Sequence, residues 1–260
     1  MVNGLYNGLE NGLKKGEFNG QRNGLENGMF ENETVIKKKV VQENLQLYLD
    51  FSNPRCYNYG RGQIGDNVYN LVNNGKNLTI QNLTGRTTAN APYVEYNPMP
   101  CWNNYTLNGT GQNYLTSPNN TDFDIGLNGL TVSMWVNLSV TSGGFDFIIG
   151  KQLAGNAVGR WSLANLTGNQ LTFFVQTSAG IQLIGFNPPV IALNKWQYIT
   201  AVFNRTTGIV TYIDNVVCFR FPFNSVGENL TVNRPFRVGA HSDSILGLGA
   251  RCKMNYITLY

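Results

Sequence analysis

The segment Leu130-Thr-Val-Ser-Met-Trp-Val-Asn-Leu-Ser-Val140 decides the fold. Apolar residues hold the even positions and mostly polar ones the odd positions, the period of two that a half-buried strand requires. Asn169 to Gln176 behaves in the same way. Downstream, Trp196 to Phe203, a loop Asn204-Arg-Thr-Thr-Gly208, Ile209 to Ile213, a two-residue turn Asp214-Asn215 and Val216 to Phe221 read as a meander. Turn residues at those positions are hairpin signals. Pro188-Pro189 and Pro222 fall between strands, where a missing N–H costs no ladder bond. No stretch after Leu45 shows the periodicity of a long amphipathic helix, so the expected architecture is all-β, a two-sheet antiparallel jelly-roll sandwich.

Composition narrows the classes further. The 260 residues are 42% hydrophobic but only 13% charged, with 37 Asn and 20 Thr filling the deficit. That is enough apolar material for a core, and the net charge of +4 argues against wholesale disorder. No run reaches the length of a membrane span. Met1 to Gly20 lacks an apolar stretch, so no secretory signal is expected there. The basic residues are dispersed, and Lys37-Lys38-Lys39 sits between Val35-Ile36 and Val40-Val41 like an edge strand or solvated turn, which disfavours nucleic acid as a partner.

The first part of the chain follows another rule. Residues 3 to about 30 repeat every four, with Gly at 4, 8, 12, 16, 20, 24 and 28. A helix is a poor fit, because each Gly costs about 1 kcal/mol relative to Ala. An extended strand or a chain of tight Asn-Gly turns fits better. None of these lets the segment bury Leu5, Leu9, Leu13, Leu25 and Met29 by itself. It is either a low-complexity tail or an arm that docks on another subunit, its Gly-lined face allowing close backbone approach. Fully extended, such an arm spans about 100 Å, against a radius of gyration of about 17 Å for the rest of the chain. The division expected is an arm and linker over 1–44 and a sandwich over 45–260.

The order "LTVSMWVNL", "FIIGK", "RWSLANL", "LTFFVQT", "NKWQYITAVFNRTTGIVTYIDNVV", "FRVGA" and a closing "MNYITLY" resembles the concanavalin A-like lectin/glucanase superfamily, in its laminin-G/pentraxin-like branch. The opening "LQLYLDFSNPRCY" is similar to the first strand of such domains, so the resemblance covers about residues 45 to 260. It implies N- and C-terminal strands side by side. The Asn-Gly-Leu arm is similar to arms of structural proteins in large DNA viruses and phages.

Glucanases of the superfamily carry Glu-x-Asp-x-x-Glu on one strand, and retaining hydrolysis needs two carboxylates about 5 Å apart. After residue 45 the only glutamates are Glu95 and Glu228. Asp122-Phe-Asp124 would place two acids on one strand face, but Gly126 and Leu127 stand where a third is needed, so no enzyme is expected. His241 is the sole histidine and reads as a loop residue, which removes a His-based zinc site. No cofactor is expected. The resemblance implies a Ca²⁺ rim site, for which Asp122, Asp124 and Asp146 are the available hard ligands, with turn and cap chemistry as the competing explanation. Trp102, Tyr105 and Tyr114, in an Asn-rich loop-like stretch, are the candidates for stacking on sugars, whereas Trp161 and Trp196 are expected in the core.

Cys56, Cys101, Cys218 and Cys252 allow three pairings. In an oxidising place, Cys56–Cys101 and Cys218–Cys252 are expected; buried free thiols are the alternative. Asn-x-Ser/Thr sequons stand at Asn32, Asn77, Asn82, Asn104, Asn108, Asn119, Asn137, Asn165, Asn204 and Asn229, more than chance placement gives, and most fall in loops where a glycan fits.

Two functions follow as expectations. The first is a structural protein of a virion or extracellular filament, whose partner is a second copy reached through the arm by strand addition or groove filling. The second is a lectin-like adhesion module on a particle or cell surface, with glycans as partners and the arm as a tether.

Overall fold

A computed structural model describes residues 43–57, 67–72, 74–81, 93–95, 101–103, 114–140, 146–152, 157–182, 190–240 and 251–260. The chain divides into two compact units, Met1–Leu45 and Gln46–Tyr260. The tetrapeptide repeat, with Leu5, Leu9, Leu13, Leu25 and Met29, lies outside the described residues, as do Lys37 to Lys39, Tyr105, His241 and the sequons Asn32, Asn82, Asn104 and Asn108.

The strands are Leu47–Leu49 (β1), Asn67–Val68 (β2), Leu78–Gln81 (β3), Tyr93–Glu95 (β4), Cys101–Asn103 (β5), Tyr114–Thr116 (β6), Leu130–Val140 (β7), Asp146–Lys151 (β8), Trp161–Leu166 (β9), Gln170–Thr177 (β10), Gly180–Gln182 (β11), Gln197–Asn204 (β12), Gly208–Ile213 (β13), Val216–Phe221 (β14), Arg237–Val238 (β15) and Arg251–Leu259 (β16). They form two antiparallel sheets, the sandwich that the alternating patterns predict. The first runs β14-β13-β12-β7-β16-β5-β4, with β1 also on β16; the second runs β11-β10-β9-β8-β15-β6-β3-β2. Leu47 pairs with Leu259 and Leu49 with Ile257, so the first and last strands of the domain are neighbours.

The period of two does the packing. Val132, Met134, Val136 and Leu138 of β7 meet Trp161, Leu163, Leu171, Phe173 and Val175 of the opposite sheet in one buried cluster. Trp102, wholly buried, packs against Phe51 and Tyr57 with ring centroids 5.8 and 6.4 Å away. Burial of a side chain of this size contributes on the order of 3 kcal/mol. Asp214 and Asn215 both have positive φ, 51° and 65°, as the two-residue turn between β13 and β14 requires.

Neither Cys56–Cys101 nor Cys218–Cys252 is bridged by a disulfide, and Cys56, Cys101 and Cys252 are buried. Cys218 lies on the edge strand β14 and Cys252 on β16, with β13, β12 and β7 between them. Four strand spacings are about 19 Å, far beyond the Cα separation a disulfide spans.

Candidate functional site

In the first sheet, the outward sides of β7, β12, β13, β1 and β16 carry aromatic residues. The inward side of β7 is Val132, Met134 and Val136; the outward side is Thr131, Ser133, Trp135 and Asn137. Trp135 therefore stands in the polar phase. On β12 the inward residues are Ile199, Ala201 and Phe203, which leaves Tyr198 outward, opposite Trp135 in the register. On β13, Tyr212 is outward and opposite Val217 of β14. On β1, Leu47 and Leu49 enter the core and Tyr48 faces out.

The fifth contribution comes from a bulge. Asn255 pairs with Trp135 and Thr258 with Ser133, so Tyr256 and Ile257 together oppose Met134. Ile257 takes the core position, and Tyr256 adopts φ +53°, a left-handed conformation rare for a bulky residue. Asn255 Oδ1 fixes the bulge by accepting from Phe51 N at 2.9 Å and Tyr256 N at 2.8 Å. The chain thereby brings the Tyr256 ring to the Tyr48 ring, edge to face, at 5.2 Å. Trp135 and Tyr198 are 5.3 Å apart at 52°. Tyr260 extends β16 by a two-way backbone pairing with Thr131 and completes the tract.

Trp135, Tyr198, Tyr212, Tyr256 and Tyr260 are half-buried, leaving ring surface open. Burial raises the pKa values of the Tyr256 and Tyr260 hydroxyls. Tyr198 lies close enough to push both in the same direction, and Asp50 also raises that of Tyr256. These tyrosines stay neutral hydrogen-bonding groups at physiological pH. Asp50 is buried and holds Ser52 N at 3.0 Å, the Ser52 hydroxyl and Tyr48 Oη, the last at 3.4 Å. The Ser133 and Thr200 hydroxyls meet at 3.0 Å between the aromatic rows. Stacking surfaces flanked by hydroxyl and amide groups suit a flat ligand with an apolar face and many hydroxyls.

The expected site residues lie elsewhere. Trp102 is wholly buried and cannot stack on a sugar. Tyr114 is on the outward face of the second sheet, covered by the Arg237 guanidinium 4.7 Å from its ring centroid. Trp161 is in the core as expected, while Trp196 is half-buried just before β12. Asp122 and Asp124 lie in a turn rather than on a strand, with Phe123 at φ +58°. Asp122 caps Asn119 N at 3.0 Å, and Asp146 is buried in β8.

The Asp124 carboxylate is occupied by an internal cation. Lys151 Nζ, with no exposed surface, contacts Asp124 Oδ1 at 2.5 Å and donates to Asn120 O at 2.6 Å and Asp122 O at 2.9 Å. Among the described residues no group of three acidic, histidine or cysteine side chains could hold a metal, and the ammonium fills the oxygen cradle that Asp122 and Asp124 would have offered Ca²⁺. Burial lowers the Lys151 pKa, and the Asp124 carboxylate opposes that shift.

The profile of the concanavalin A-like lectin/glucanases superfamily, in its laminin-G form, matches residues 108–250. The chain belongs to that superfamily. Among solved structures, the superfamily fold is shared with the binding domain of Paraclostridial Mosquitocidal Protein 1, at 13% identity and a TM-score of 0.54, covering 84% of this chain and 49% of that one. Domain 4 of AbnA, a GH43 extracellular arabinanase from Geobacillus stearothermophilus solved with arabinotriose, matches at 14% identity and a TM-score of 0.54, covering 83% and 91%. Trypanosoma rangeli sialidase matches at 14% identity and a TM-score of 0.53, covering 83% and 30%. The chain thus spans about half of the first of these and under a third of the last. A search of curated protein sequences gave no match. No helix among the described residues is long and apolar enough to cross a membrane.

Proposed function

We propose that this lectin-fold domain is a non-enzymatic carbohydrate-recognition module, and that its sugar-stacking surface is the outward aromatic face of the first sheet. The observation that carries it is the placement of Trp135, Tyr198 and Tyr212 on the outward side of three adjacent strands, joined by Tyr48, Tyr256 and Tyr260. A strand that spends its solvent-facing positions on rings gains nothing for its core. The open rings gain by covering an apolar surface, and the pyranose or furanose face is one framed by hydroxyls that half-buried Thr200 and the tyrosine hydroxyls can recognise. The likeness to an arabinanase domain solved with arabinotriose supports the choice of ligand class. Binding without cleavage is supported by the fate of the acids: Asp124 is held by Lys151, and Asp50 and Asp146 are buried.

The test is a glycan array probed with the full chain, followed by titration of the best oligosaccharide. Tyr198→Ala is expected to weaken binding about tenfold, which corresponds to about 1.4 kcal/mol. Tyr114→Ala, on the other sheet, leaves it unchanged. Loss through Tyr114 rather than Tyr198 would transfer the site to the second sheet.

A further inference from the structure

Residue by residue, the sequons differ in what the fold does with their amides. Asn77, Asn119, Asn204 and Asn229 are exposed. Asn77 Oδ1 accepts from Asn70 N at 3.0 Å, and Asn204 Oδ1 accepts from Thr206 N at 2.9 Å and Thr207 N at 3.0 Å. In both, the backbone is satisfied through the oxygen, and no hydrogen bond among the described residues engages Nδ2. At Asn119 and Asn229 no side-chain hydrogen bond to another described residue holds the amide. The second half of each acceptor is also in place: Thr121, Thr206 and Thr231 are exposed and Thr79 is half-buried. Asn165 is the opposite case. It lies in β9 with no exposed surface, opposite Leu171 on one side and Asp146 on the other.

Register places the four exposed sites together. β12 ends at Asn204, next to the start of β7, because Phe203 pairs with Leu130. Leu230, beside Asn229, pairs with Gly126 four residues before Leu130. Asn77 precedes β3 and is tied through Asn70 to Gln46, whose N–H donates to Leu259 O at the end of β16. Asn120 O, next to Asn119, is on Lys151 at the end of β8.

We infer that Asn77, Asn119, Asn204 and Asn229 are N-glycan attachment sites that coat the end of the sandwich where β7 begins, and that the Asn165 sequon is silent. In the transfer, Asn Nδ2 forms a bond to C1 of the first sugar of a lipid-pyrophosphate-linked oligosaccharide. The C1–O bond breaks, the lipid pyrophosphate leaves with the electron pair, and the proton lost by the amide nitrogen passes to a carboxylate base of the transferase or to the departing pyrophosphate. The oligosaccharyltransferase and the lipid-linked donor come from the cell that makes the protein. A glycan on Asn165 would have to occupy the interior between β8 and β10, so a chain modified there cannot close its sandwich.

The experiment is glycopeptide mass spectrometry of the full chain secreted from mammalian cells behind a secretion leader. A second arm uses folded, unmodified full chain from bacteria, incubated with oligosaccharyltransferase and the lipid-linked oligosaccharide. Glycan at the four sites in both arms, a mass lowered by one glycan for each of Asn77→Gln, Asn119→Gln, Asn204→Gln and Asn229→Gln, and bare Asn165 are expected. Bare amides at the four sites in the folded chain, or a glycan on Asn165 in it, would overturn the inference.

Discussion

Lys151 ties the turn at Asn120 to Asp124 onto the end of β8 with three oxygen contacts. A buried ion pair broken on one side leaves an uncompensated charge, which costs about 3–5 kcal/mol. Lys151→Met is therefore expected to lose that amount in chemical denaturation, because the methionine leaves Asp124 and two carbonyls unmatched. Asn165 offers the reverse. Its buried amide nitrogen and oxygen have no partner, so Asn165→Leu, similar in volume and free of the desolvation cost, is expected to raise stability by about 1 kcal/mol in the same assay. The thiols set the alkaline limit. Burial pushes Cys56 up from 9.0 to about 12 and moves Cys252 in the same direction. The folded state then holds protons that the unfolded state releases above pH 9, so stability falls there by up to about 1.4 kcal/mol per pH unit for each thiol. Lys151, whose pKa is lowered by burial, acts in the opposite sense until its unfolded value is passed, and two thiols outweigh it. Denaturation midpoints at pH 8 and 10 check the slope, which the Cys56→Ala, Cys252→Ala double variant is expected to flatten.

At the level of strands, alternation was legible and so was its violation. Leu130 to Val140 and the turn at Asp214-Asn215 announce the strands directly, because period and turn chemistry are local properties. The aromatic face is not legible that way, since the Asn-rich stretch points to Trp102, which long-range packing buries against Phe51 and Tyr57. The usable signal was phase: Trp135 and Tyr198 break the polar register of β7 and β12, whereas in β13 the outward residues Val210 and Tyr212 give no polar register to break. The bulge at Tyr256 carries no such sign, because it arises only when Asn255 meets Phe51 N from another part of the chain. A left-handed tyrosine stores on the order of 1 kcal/mol or more. Tyr256→Gly relieves that strain while losing ring contact with Tyr48, so unfolding free energy is expected to change by less than about 1.5 kcal/mol. Glycan affinity is expected to drop in the same variant, which separates a binding role from a packing one.

For the molecule as a whole, the sandwich from Gln46 onward is a compact unit distinct from the segment before it. A chain lacking residues 1–42 is expected to fold with an unchanged melting temperature and to keep its glycan affinity. Unfolding of that truncated chain would mean that the repeat supplies part of the core. The account depends above all on rings of the first sheet meeting sugar. Its most direct test is the affinity of Trp135→Ala for the best array glycan, measured by titration calorimetry beside a melting curve. A tenfold or greater loss with the melting temperature held is the result predicted. Equal affinity in the folded variant would contradict it.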